Sequence, residues 1–267
     1  MSIVEQPLGA KPRALITGAT AGIGAEFARA LAARGYDLVL VARTRARLVA
    51  MARDLANAHG VASEVLAADL TLDADLARVA ARLEAAPPID LLVNNAGFGL
   101  RHRFVRATPQ DEANMVRVHM LAPTLLARAV LPGMIERGHG AVVNVSSVAA
   151  FAPSRANAIY GASKAYVNSF SEGLALELRG TGVAVQALCP GFTRTEFHAR
   201  ADLRMDKIPS FLWTDAATVV RASLNGLDRG KLIVVPGWQY QVLVTALRLL
   251  PRVFVVWVMG VAARRRS

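Results

Sequence analysis

Short apolar runs of four to six residues rich in Val, Leu and Ile recur along this chain between longer Ala-rich segments. That alternation is the pattern of buried parallel strands separated by helices. Strands are expected at residues 14–17, 38–42, 63–67, 91–94, 141–146, 183–188 and 232–235, with helices filling the intervals. Parallel neighbours need right-handed helical crossovers that cover both faces, so the rhythm predicts an α/β fold on one doubly wound parallel sheet. No stretch reads as a linker, which puts the sheet and its helices in a single domain over residues 1–236, followed by an apolar and basic extension over 237–267.

Composition narrows the function classes. A chain of 267 residues with 54% apolar content can bury one sizeable core. Cys189 is the only cysteine, so an intrachain disulfide and a Cys-based zinc site are excluded, no metal is expected, and the thiol before Pro190 reads as a small buried hydrophobe. The formal charge of +11 is spread along the chain, with short clusters only at "RTRAR" (43–47), "RHR" (101–103) and "RRR" (264–266). No zinc-finger, RNP or basic-zipper pattern accompanies it, so the charge reads as solvated surface and nucleic acid is not an expected partner. The start "MSIVEQPLGAKPR" lacks the basic and apolar blocks of a secretory signal, which predicts a cytoplasmic protein.

Candidate chemistry begins at "RALITGATAGIGAEFARALAARG", a strand running through a glycine-rich turn into a helix. Gly18, Gly22 and Gly24 let backbone approach a pyrophosphate, and the helix start around Ala21, Gly22 and Ile23 aims N–H groups and a positive dipole end at it. The spacing is TGxxxGIG rather than GxGxxG, and glycines serving only close packing are the competing account. The next strand ends at Ala42 and Arg43, where a ribose 2′-hydroxyl would want an acidic side chain. Arg43 suits a 2′-phosphate instead, so NADP(H) is preferred over NAD(H); Arg45 and Arg47 add to the field or form an exposed helix face. Asp69, followed by Leu70, can accept from an adenine amine or cap the helix after Thr71. In "LLVNNAGFG", Asn94 or Asn95 can satisfy loop backbone, while Ala96 and Gly97 leave room for a ribose.

The stretches TGATAGIG, NNAG, VVNVSS, YGASK and PGFTRT occur in this order over residues 13–236. With them the chain resembles the short-chain dehydrogenase/reductase family, of the classical type. The resemblance implies a Rossmann-like sheet of about seven strands in the order 3-2-1-4-5-6-7, a nicotinamide cofactor, and interconversion of a carbonyl and an alcohol. It implies that Tyr160 is the acid/base, that Lys164 is its partner and that Ser147, thirteen residues before Tyr160, polarises the substrate carbonyl in preference to Ser146. Pro190 and Gly191 would bend the nicotinamide-side loop, Phe192 would offer backbone to the carboxamide, and Thr193 or Thr195 would supply hydroxyls. Tyr160 and Lys164 stand at i and i+4 on one helix face, where the ammonium is expected to lower a phenol pKa that is otherwise near 10. Both residues also line the expected cofactor site. One position departs from the family: His119 stands 28 residues before Ser147, where many members have asparagine. It is either a titrating group that makes the rate pH-dependent or a satisfied buried imidazole. Members of the family are often dimers or tetramers, which implies a homo-oligomer.

Two segments bear on the substrate. "EFHARADLRMDKIPSFLW" (196–213) mixes Phe197, Met205, Ile208, Phe211 and Trp213 with charges, as a lid over a lipophilic ketone or aldehyde would. Acyl-carrier-linked 3-oxo chains meeting "RHR" are the second substrate reading, and a noncatalytic NADP-responsive binding protein is the rival class. The tail is apolar over residues 242–263 but interrupted by Arg248, Pro251 and Arg252. It is read first as packed at a subunit interface or over the active site, second as a peripheral membrane contact with "RRR" at lipid headgroups, and last as a span.

Overall fold

The computed structural model describes residues 11–100, 104–153, 158–195 and 209–264. Its first half alternates β1 (Arg13–Thr17), α1 (Gly22–Ala33), β2 (Asp37–Ala42), α2 (Arg45–His59), β3 (Ser63–Ala67), α3 (Asp73–Glu84) and β4 (Leu91–Asn94). A long helix follows in three parts: α4 (Pro109–Val116), a π-helical turn at Arg117–Leu121, and α5 (Ala122–Arg137). Then come β5 (Gly140–Val145), α6 (Ala158–Glu177), β6 (Val183–Leu188), β7 (Thr193–Arg194), β8 (Thr214–Asp215), α7 (Ala216–Leu227), β9 (Ile233–Val234), α8 (Trp238–Leu249) and α9 (Arg252–Arg264).

Seven strands form one parallel sheet in the order β3-β2-β1-β4-β5-β6-β9. The expected seventh strand is β9, because β7 and β8 pair with each other in a separate two-stranded ribbon. This last strand is two residues rather than the four expected at 232–235, as it lies at an edge and pairs only with β6. Of the expected lid, residues 196–208 lie outside the described residues, and Ser210–Leu212 forms a 3-10 turn leading into β8.

The strands are apolar on both faces because both faces are covered. Ile16, Leu40, Val93 and Val143 pack under α1, α2 and α7 with Phe27 and Leu224. Their neighbours Leu15, Val39, Leu92 and Val142 point the other way, toward α3, α5 and α6. The helix over residues 109–137 is long and apolar enough to cross a membrane, but half of its most apolar window is buried within the protein. The crossovers leave the C-terminal ends of β1, β4, β5 and β6 along one edge of the sheet, where ligands of doubly wound folds bind.

Candidate active site

The turn from β1 into α1 is built for close approach. Gly18 and Gly22 hold φ of 67° and 54°, a region side chains rarely enter. Gly24 is required for a different reason: a methyl group there would run into the carbonyl oxygen of Gly18 and the side-chain amide of Asn95. The N-cap of α1 is Ala21, so no side chain satisfies the first N–H groups, and no acidic residue stands in the first turn. The start of α1 therefore has the field and the donors of an anion site.

β4 supplies the opposite lip. Asn95 Nδ2 donates to the carbonyl oxygens of Thr17 (2.9 Å) and Gly18 (3.3 Å), and the Thr17 hydroxyl accepts from the N–H groups of Asn95 and Ala96, both at 3.0 Å. Asn94 points inward instead: its amide donates to Asn144 Oδ1 at 2.9 Å, and Asn144 donates to Ser171 at 3.0 Å. The two adjacent asparagines thus divide the work, Asn95 tying the glycine turn to β4 and Asn94 tying β4 to β5.

Ser147, Tyr160 and Lys164 converge beyond the end of β5. Ser147 caps a 3-10 turn, its hydroxyl accepting from Ala149 N–H at 3.1 Å, and its side chain is hydrogen-bonded to the Tyr160 phenol. Ser146 is turned away and buried, its hydroxyl donating to the Lys164 carbonyl at 2.9 Å. Lys164 is 6% exposed; its ammonium donates to the Val145 carbonyl at 2.9 Å and lies 5.7 Å from the centre of the Tyr160 ring. Burial lowers its pKa to about 8. The expected lowering of the phenol pKa by Lys164 is not what the environment produces. Burial raises the Tyr160 pKa, and the hydrogen bond from Ser147 is the influence that opposes it.

His119 completes this wall from the π turn. Its Nε2 accepts the Phe98 N–H at 3.0 Å and its Nδ1 lies 3.1 Å from the Ser163 hydroxyl, which itself donates to the Tyr160 carbonyl at 2.8 Å. Since Ser163 spends its only proton on that carbonyl, Nδ1 must donate, and the ring is fixed as the neutral Nδ1–H tautomer. Burial, reinforced by the Lys164 charge, holds its pKa well below 6.5. The imidazole is thus a satisfied buried group that fastens the loop after β4 to the helix carrying Tyr160. Gly97 is glycine here because a Cβ would lie 3.0 Å from His119 Nε2.

The family model for short chain dehydrogenases matches residues 12–206. This chain belongs to the short-chain dehydrogenase family. A short-chain dehydrogenase from Sphingobium yanoikuyae, solved in complex with NADPH, has a TM-score of 0.83 and 43% identity to it, covering 89% of this chain and 93% of that one. The bulky-bulky ketone specific alcohol dehydrogenase from Comamonas testosteroni gives a TM-score of 0.78 at 39% identity, covering 89% and 92%. A very-long-chain 3-oxoacyl-CoA reductase from Anas platyrhynchos is 34% identical over 246 residues, covering 87% of this chain and 76% of that protein. The chain is therefore an oxidoreductase of this family, acting on an alcohol or ketone with a nicotinamide dinucleotide.

In this dehydrogenase the remaining sequence candidates fall into place unevenly. Pro190 and Gly191 follow β6, and Thr195 packs against Gly22, the distance from its Cβ to a Cβ built there being 3.0 Å. Thr193 is 4% exposed and turns its hydroxyl back to the Gly191 carbonyl at 3.1 Å. Phe192 differs from expectation: its N–H donates to the Tyr240 hydroxyl at 3.0 Å and its carbonyl accepts from Thr214 N–H at 2.9 Å, so its backbone already serves the protein. Asp69 accepts from both Thr71 N–H (3.0 Å) and the Thr71 hydroxyl (2.8 Å), which makes a local turn; the N-cap of α3 is Leu72. Leu70 is buried beside it, and Arg43 is exposed at the end of β2.

One contact beside the site has no trace in the local pattern. Tyr240, from the tail, covers Gly191 so closely that no side chain fits there, and its hydroxyl also donates to the Leu212 carbonyl. Thr20 and Arg47 line an open hollow of about 250 Å³ between α1 and α2, together with Arg29, Met51, Asp54 and Leu55.

Proposed function

We propose that this enzyme interconverts a lipophilic ketone or aldehyde and its alcohol with NADP(H), using Tyr160 as acid/base, Ser147 as carbonyl donor and Lys164 as their cationic support. The observation that carries the reading is the convergence of the Ser147 hydroxyl, hydrogen-bonded to Tyr160, with a Lys164 ammonium 5.7 Å from the phenol ring. A dinucleotide fits the residues present, since the start of α1 lacks a side-chain cap and Gly18, Gly22 and Gly24 admit no Cβ without strain or collision. Gly18, Ala21, Gly22 and Ile23 would hold the pyrophosphate, with Asn95, Ala96 and Gly97 along the riboses and Pro190, Gly191, Thr193 and Thr195 on the nicotinamide side. Preference for NADP(H) is supported by exposed Arg43 at the strand end, by Arg29 and Arg47 around the neighbouring hollow, and by the NADPH-bound relative.

When bound, the reduced nicotinamide supplies the hydride for the carbonyl carbon. Ser147 donates to the carbonyl oxygen as negative charge develops there, a fixed donor being of most use at that moment. Tyr160 gives its proton to the same oxygen, and the raised phenol pKa keeps that proton available at neutral pH. The neighbouring Lys164 charge stabilises the phenolate that remains. Thr17, Asn94, His119, Asn144 and Lys164 line a small hollow of about 10 Å³ behind this site, room for one water molecule.

Substrate breadth rests on two likenesses. The bulky-ketone enzyme favours a large ketone; the 3-oxoacyl-CoA reductase favours a second reading, a 3-oxo chain carried as a thioester. The test is NADPH oxidation across a panel holding bulky aryl ketones, aliphatic aldehydes and 3-oxoacyl thioesters. Turnover with a panel member that is lost in Tyr160→Phe, with NADPH binding kept, is the expected result. Tight NADPH binding with no turnover of any member would overturn the reading in favour of a binding protein.

A further inference from the structure

α8 and α9 each expose several large apolar side chains. Trp238, Val242, Leu249, Val253 and Trp257 are between 62% and 82% exposed, and Phe254, Val256 and Val258 add to the same region. The charges of α9 are confined to its two ends, Arg252 and Arg264, and Val255 is buried at 2% exposure. A helix on a water-facing surface ordinarily has one polar face, and α9 has none. Monomeric proteins do not leave apolar patches of this extent uncovered without a use for them.

The pair is nonetheless firmly seated along one edge. Tyr240 and Val244 are buried, the Arg248 guanidinium stacks 5.0 Å from the centre of the Phe151 ring and lies 3.6 Å from Glu172, and Arg252 donates to the Phe151 carbonyl at 3.0 Å. What covers the other side follows from charge and length. No acidic residue occurs after Asp228, while Arg229, Lys231, Arg248, Arg252, Arg264, Arg265 and Arg266 do. A second copy seated on this face would bring two such cationic tails together with no carboxylate of the tail between them, in a chain already carrying +11. Anionic lipid headgroups have the complementary charge. The 13 residues of α9 rise about 20 Å, short of a hydrocarbon core of about 30 Å, and Pro251 breaks the run before it, with Leu250 extended at φ −81° and ψ 142°.

We propose that α8 and α9 dock the enzyme on an anionic bilayer surface, with Val253, Phe254 and Trp257 among the acyl chains and the arginines at headgroup level. The helices lie in the interface and do not cross it. Because Tyr240 of α8 holds residue 192, the docked face adjoins the rim of the cleft.

Flotation of the purified full chain with extruded vesicles tests this. Recovery with vesicles of phosphatidylcholine and phosphatidylglycerol should exceed recovery with phosphatidylcholine alone by about ten-fold and fall as salt is raised. The anionic vesicles should also shield tryptophan fluorescence from iodide. A Val253→Glu/Trp257→Glu variant, whose changes lie at exposed positions, should keep NADPH binding and lose vesicle recovery by about ten-fold or more. Equal recovery on both vesicle types, or none with iodide quenching unchanged, overturns the proposal. So does a lipid-free wild-type oligomer that the same double substitution splits, which would give this surface to a second copy.

Discussion

The two walls of the cleft achieve their fit by different means. The nucleotide wall, from Gly18 to Gly24 with Asn95 and Ala96, is made of backbone: positive-φ glycines, uncapped N–H groups, and an amide that pins one loop to another. The chemical wall is made of side chains, Ser147 with Tyr160, Lys164 and His119, and burial moves the proton affinities of the last three. A wall of backbone dipoles has nothing to titrate, but it cannot tolerate an added methyl group. A wall of buried titratable groups tolerates changes of volume better than changes of charge, and its output follows pH.

Replacing Lys164 with Met should separate the walls most sharply. The loss of the buried ammonium beside the phenol lowers kcat by about 10²–10³-fold, the range of a supported general acid, while NADPH affinity measured by fluorescence titration falls far less. Gly24→Ala does the reverse. Its methyl group meets the Gly18 carbonyl and Asn95, so NADPH affinity falls by about ten-fold or more and stability by about 1–3 kcal/mol in urea unfolding. An unchanged affinity would mean that this wall does not hold the nucleotide.

His119→Phe leaves the Phe98 N–H without its partner, at about 1–3 kcal/mol for a buried group left unpaired, while Ser163 keeps its bond to the Tyr160 carbonyl. Its pH signature distinguishes it from plain packing loss. Because the folded pKa is held well below 6.5, the unfolded chain takes up a proton that the folded chain does not, and wild-type stability drops as pH falls below 6.5. The Phe variant should lose this acid-side contribution in thermal unfolding followed across pH. Lys164 acts at the other end of the scale: kcat/KM for reduction should decline as pH rises through about 8, where the free enzyme loses the buried charge. Stability moves oppositely there, since burying the charged amine is penalised below about 8 and that penalty lifts as pH climbs toward about 10.4, the unfolded value. Tyr240→Phe should have the smallest effect. It removes a hydroxyl that accepts from Phe192 and donates to Leu212, raising the KM for NADPH about two- to five-fold with kcat nearly unchanged.

Much of the fold was legible along the chain because parallel strands covered on both faces are written as continuous apolar runs, as at Leu38 to Val41 and Leu91 to Val93. The short last strand was less so, since pairing on one edge gives little pattern to read. In the site, the glycine turn and the Tyr160/Lys164 spacing depend on near neighbours in sequence, and short-range geometry is what a sequence encodes most directly. The family resemblance implies Ser147 over Ser146, and in the structure the Ser146 hydroxyl is committed to the Lys164 carbonyl.

Other features depend on partners far away in the chain. Whether His119 titrates depends on Phe98 and Ser163 at its two nitrogens, and the Tyr160 shift runs opposite to the expected one because burial outweighs the Ser147 hydrogen bond. Tyr240 reaches Phe192 across 48 residues, a contact with no local trace. The sequence by itself determined the run of buried strands, the glycines of the turn after β1 and the spacing of Tyr160 and Lys164. Tertiary structure decided which of those groups are charged, which backbone donors are already used, and which apolar side chains of the tail remain uncovered, because desolvation and long-range hydrogen bonding exist only once distant segments meet.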